Sequence, residues 1–327
     1  MKLKPENILA ARAPQVALLS LLTAAVAALW WLCGAETVVF KVCKLLLYLV
    51  AAFTVSWLLF AAKLTRMFEF TPSLAALFTL LCVDFALKPS ASADWLTYLT
   101  PVAVTLVLLC ILNITRRLWK ADHASEEMFL ITLLLCAAAF LYAPALLLIV
   151  VVWLVFIVLQ SFSLKTLLAS LIGLACAAIM AEALSHLLFS GCAAKALLDS
   201  TDTWGKYLVR PAVIGGLSAR HVAIAAVLGG LAVCNIVYHH VSHYRDDQYT
   251  RVLLNTWSIL AVALIMLFMI FGTPLLLTPL ALLMLMLQLH STALRPSWFI
   301  FALWVIFALT MLALPLTASD PLISAGL

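Results

Sequence analysis

Charge is what this chain has least of. Only 10% of its 327 residues are Asp, Glu, Lys or Arg, against about a quarter in an ordinary soluble domain. A hydrated surface needs more than that, so a soluble globular protein is excluded. Glycine is also scarce, at 10 residues, and no glycine-rich phosphate loop can be drawn. None of the eight cysteines forms a CxxC pair, which removes the common thiol redox and zinc-ribbon patterns. HExxH is absent, as are the spaced aspartates of CDP-alcohol phosphotransferases. The short KYLVRP stretch (206–211) has the lysine and RP of a lipid-phosphatase signature, but the gap is too short and no SGH follows.

What remains is apolar: 66% of the chain is hydrophobic. Runs long enough to form membrane helices lie near 14–34, 38–62, 71–87, 95–115, 128–143, 145–160, 166–189, 221–241, 255–272, 274–289 and 297–317. They predict an all-α, polytopic transmembrane helical bundle of about eleven spans, forming a single transmembrane domain over 1–327. The count turns on 128–160, which would be about 50 Å long as one helix. Pro144 pushes Ala143 out of the helical region, so Tyr142–Pro144 predicts a hairpin of two thin helices. One tilted, kinked helix would give ten spans.

Lys2, Lys4 and Arg12, then Lys63 and Arg66, then Arg116, Arg117 and Lys120 mark alternate loops as cytoplasmic. The N-terminus is therefore expected inside, with the first helix retained. The Lys41 and Lys44 pair and Lys88 fall on the opposite side. Beyond residue 128 the basic residues divide evenly, and orientation depends on the hairpin. One long extramembrane loop is expected, 190–220, with Asp199, Asp202 and Trp204 among its basic residues.

Ionisable side chains inside a span are costly and mark sites. Asp84 ends the third span. Glu182 and His186 lie at i, i+4 on one face of the seventh. All three fall toward the same expected side, and they are the candidate catalytic residues. The plainer reading pairs Asp84 with Lys88 and Glu182 with His186 as structural contacts. In YHHVSHYRDDQ (238–248), a continued helix would bring His239, His243 and Asp246 within about 60° of one another. Two histidines and a carboxylate can bind a transition metal. The four other histidines are scattered singly, and Tyr, His and Arg are also at home at a helix end in the headgroup layer. No metal or other cofactor is therefore expected.

LLCVDF (81–86), LNITRRLWKADHASEEMF (112–129), AAAFLYAPALLL (137–148) and SFSLKTLLASLIGL (161–174) together resemble an uncharacterised integral-membrane family of Bacteroidota. The resemblance covers less than a third of the chain. It implies a multi-pass protein of a bacterial inner membrane. The short helices around YAP are similar to the central helices of polyprenyl-phosphate-dependent (GT-C type) glycosyltransferases and O-antigen polymerases. Those enzymes carry an acid in the first outer loop. Here that loop is CGAETV, with Glu36, and Asp84 or Asp94 would have to take the acid's place.

Three functions stay open on the sequence. The first is an envelope-biogenesis protein handling a lipid or lipid-linked substrate at the outer leaflet. The second is a transporter using Glu182 and His186 in proton coupling, and the third a non-catalytic scaffold for an envelope or secretion complex. The expected partners are the bilayer and a lipid-linked substrate or another membrane protein, with no nucleic acid.

Overall fold

Apolar runs with so few charges fold as helices because only helices satisfy their own backbone groups in lipid. The computed structural model describes residues 12–33, 38–62, 70–87, 95–119, 121, 124–189, 219–241, 248–294 and 297–318. Among these it is all-α, with no strand. Eleven α-helices follow in order: α1 Arg12–Cys33, α2 Val38–Ala61, α3 Phe70–Ala86, α4 Trp95–Thr115, α5 Ala124–Leu141, α6 Leu148–Val158, α7 Leu164–Phe189, α8 Ala219–Val241, α9 Gln248–Phe271, α10 Leu277–Leu294 and α11 Trp298–Ala318. Six of the described helices are long and apolar enough to cross a membrane, and five more are shorter and apolar. The protein is membrane-embedded. The expected loop at 190–220 falls almost wholly outside the described residues.

The chain divides into two compact units. The first holds 1–105, 219–246 and 274–327; the second holds 106–218 and 247–273. In the first unit, α3 packs against α1, α2, α10 and α11, and α8 packs against α10 and α11. Its most enclosed helix is α10: 83% of the apolar window at 274–292 is buried, against 33% for α2 and for α8. The outer face of α2 exposes Leu46, Val50, Phe53 and Trp57, as a lipid-facing surface would. Its inner face carries Tyr48, Val55, Leu58 and Leu59, fully buried. Lys41 and Lys44 belong to that helix and are buried. This corrects the assignment of the pair to an outer loop.

The second unit is built around the break at Tyr142. A 3-10 helix, Ala143–Leu147, separates α5 from α6; the extended residue is Tyr142, at φ −146°, and not Ala143 as expected, which begins the 3-10 helix with Pro144 in its first turn. Residues 128–160 are therefore not one helix. The turn after α6 uses Gln160 in the left-handed region, at φ 57°. Ser161 then donates its hydroxyl to the carbonyl of Leu118, just ahead of α5. The chain has doubled back: having set out at Ala124, it returns to the same level by Ser161. Helix α9 runs alongside between the same two levels. Tyr249, at its start, donates to the carbonyl of Arg116 at 2.7 Å. At its far end, Thr273 accepts from the hydroxyl of Tyr142 at 3.1 Å. Helix α7 starts with a reciprocal cap, in which the Ser163 N–H donates to Thr166 Oγ1 and the Thr166 N–H to Ser163 Oγ. It packs closely on α5, where Gly173 sits over Thr132.

Candidate functional site

Two polar assemblies are buried in the first unit. The first joins α1, α2 and α3. Lys44 Nζ lies 2.7 Å from Asp84 Oδ1, and Trp30 Nε1 donates to Asp84 Oδ2 at 2.6 Å. Both carboxylate oxygens are therefore engaged, and Tyr48 meets the Trp30 ring edge-on. Lys44 and Asp84 are only 3% and 6% exposed, so the pair is shielded from water and its attraction is little screened. One turn earlier, Lys41 donates to the carbonyl of Trp31 at 2.7 Å, near the C-terminus of α1, and lies over the Trp31 ring. A cation there complements the helix dipole. Lys88, the partner nearest in sequence, lies outside the described residues.

The second assembly joins α8 and α10. On α8, Asn235 Nδ2 donates to the carbonyl of Leu231 at 2.9 Å, which turns Oδ1 toward α10. There Ser291 Oγ lies 3.0 Å from Asn235 Oδ1, 3.0 Å from His239 Nε2 and 2.9 Å from the carbonyl of Leu287. His239 Nε2 is 3.4 Å from that same carbonyl. The rings of His239 and His290 stack at 5.2 Å, with 21° between their planes. All four residues are buried. Gln288, on the next turn of α10, is fully buried, and neither of its amide atoms meets a hydrogen-bond partner among the described residues.

The candidate residues thus fall in different places. Asp84 is in the first unit, ion-paired. Glu182 is half-buried on α7 in the second unit, and the side chain of His186 lies outside the described residues. The stretch 238–248 divides as well. His239 faces α10, and the exposed His240 directs Nδ1 to the carbonyl of Ile236 on its own helix. His243 and Asp246 lie outside the described residues. Among the described residues no three His, Cys, Asp or Glu side chains are grouped to hold a metal.

His290, which stands alone in sequence, proves to be the ring against His239. The spacing of Asn235 and His239 was a readable signal: i, i+4 puts both on one face of α8. The crowding of Gln288, His290, Ser291 and Thr292 into an otherwise apolar α10 was another.

Two open depressions lie in the second unit. One, about 230 Å³, is lined by Ser125, Gln160, Ser163 and Lys165 among others. The other, about 290 Å³, is an apolar groove between α6 and α9, lined by Val151, Leu154, Val262 and Met266 among others. No protein-family model, curated protein or solved structure matches the chain.

Proposed function

We propose that this chain is a proton-coupled transporter of a bacterial inner membrane, multi-pass, with its N-terminus in the cytoplasm and related to the Bacteroidota membrane family its central segments resemble. The observation that carries the reading is the polar cluster of Asn235, His239, His290 and Ser291, buried between two membrane helices. Titratable rings are costly in a helix bundle within lipid, and proton relays are a main use of them. A carrier that binds and releases a proton needs such a titratable group inside the bundle. The broken segment around Tyr142 is a further feature common in transporters.

The test is made in vesicles. The full chain is reconstituted with a trapped pH-sensitive dye, a proton gradient is imposed, and amino acids, sugars, organic cations and organic anions are added in turn. A solute that dissipates the gradient only when the protein is present supports the reading. Absence of any such response across the panel overturns it.

The lipid-handling reading draws on a different feature, the apolar groove between α6 and α9, which suits an acyl or prenyl chain. It needs a free acid, and Asp84 is neutralised by Lys44. Unchanged envelope lipids and glycans in well-expressed Asp84→Ala, Glu182→Ala and His186→Ala variants would dispose of it.

A further inference from the structure

The cluster on α8 and α10 can be followed proton by proton. Ser291 has one hydroxyl hydrogen and three acceptors in reach: Asn235 Oδ1, His239 Nε2 and the Leu287 carbonyl. When Nε2 is bare it accepts the serine hydrogen. When Nε2 carries a hydrogen it donates to Ser291 Oγ, and the serine hydrogen turns to Asn235 Oδ1 or to Leu287. Asn235 is held ready for this because its own N–H group is tied to Leu231. The hydroxyl can thus reverse its direction without any helix moving.

His290 supplies the second ring. With centroids 5.2 Å apart in a buried setting, two imidazolium charges repel strongly. Both rings cannot readily be charged at once. Charged and titratable groups on the surrounding elements are few among the described residues. Helix α8 carries Arg220 and His221 at its start, about 28 Å along the helix from His239, then the thiol of Cys234, the phenol of Tyr238, and His240, which is exposed. Helix α11 has no ionisable side chain. Helix α3 offers Cys82 and Asp84, the latter bound to Lys44. His243, Asp246 and Arg295 follow α8 and α10 in sequence and lie outside the described residues.

We propose that His239 and His290 form a site that binds one proton between them, with Ser291 and Asn235 as the hydrogen-bond switch that follows it. This rests on the transporter reading and names the coupling residues. Ser291 and Asn235 are positioning residues, acting through His239.

The deciding experiment uses the full chain with ¹⁵N-labelled histidine in lipid nanodiscs. Ring signals are followed by NMR from about pH 8 to about pH 4, a range that brackets the ordinary histidine titration. His239→Gln and His290→Gln assign the two rings. The expected result is that both signals change together and account for one proton, and that either variant leaves the remaining ring to titrate by itself. Ser291→Ala should keep both rings and alter the tautomer balance of His239. Two protons taken up independently, or none over the range, overturns the proposal.

The same samples in dye-loaded vesicles separate the two readings. If solute-driven proton movement occurs and survives both Gln variants, the site is wrong and the transporter reading stands. If one proton is shared but no solute moves protons, the site stands and the transporter reading falls.

Discussion

Lys44 and Asp84 are bonded at 2.7 Å inside the first unit, from two different helices, each nearly closed to solvent. Removing one member of such a pair leaves an uncompensated charge where hydration is poor. Lys44→Met should therefore cost about 3 kcal/mol, with Asp84→Leu similar. Replacing both, as Lys44→Met with Asp84→Leu, should restore most of that. Thermal unfolding of the four proteins in one detergent closes the cycle. A double variant as unstable as the sum of the singles would mean that the two side chains act separately.

Gln288 presents the opposite case. Its side chain is fully buried on α10, and its amide has no hydrogen-bond partner among the described residues. An unmet buried amide is a standing cost. Gln288→Met should raise stability by about 1 kcal/mol, since a similar volume is kept and the polar group removed. Midpoint temperatures in detergent would read the effect. Marked destabilisation would mean that water or a bound solute satisfies the amide.

The helices and the break at Tyr142 were legible because apolar run length and a proline act locally. Partners were not, because they come from distant chain. Asp84 reads in sequence as a neighbour of Lys88, yet its carboxylate meets Lys44 on α2 and Trp30 on α1. His239 reads as part of HHVSH, yet its ring lies on His290 of α10. In each case the nearest polar residue along the chain drew attention, while packing of helices remote in sequence set the contact. Helix α9 also starts at Gln248, seven residues ahead of its apolar run, since Tyr249 is anchored to the Arg116 carbonyl and keeps the first turns in place.

Gly173 marks a close approach of α7 to α5. A Cβ placed there would lie 3.0 Å from Thr132 Cβ and 3.3 Å from the backbone oxygen of Phe129. Neither is the end of a flexible side chain, so the packing of the two helices must give by a few tenths of an ångström. Gly173→Ala should cost about 1 kcal/mol and Gly173→Leu more, up to about 3 kcal/mol. Gly230 is a control in the first unit, with nothing within 4 Å of its added Cβ. Gly230→Ala should be neutral or slightly stabilising through helix propensity. Equal losses at the two positions would show that close packing is not the cause.

The doubled-back segment makes a statement about sidedness. Arg116, Ser161 and Tyr249 lie at one end of the second unit, Tyr142 and Thr273 at the other. Helix α7 starts at the Ser161 end and is 26 residues long, about 39 Å at 1.5 Å per residue, enough to reach the opposite surface. The chain that follows it, including Cys192, is therefore predicted on the side opposite Arg116. With the basic loop at Arg116 in the cytoplasm, an impermeant thiol reagent should label Cys192 on intact spheroplasts and fail on Cys192→Ser. Labelling only after lysis would put that segment on the cytoplasmic side. It would then require either that α7 fails to cross or that the N-terminal half is inverted. A second cysteine introduced beside Arg116 decides between them, because inversion would make it react from outside.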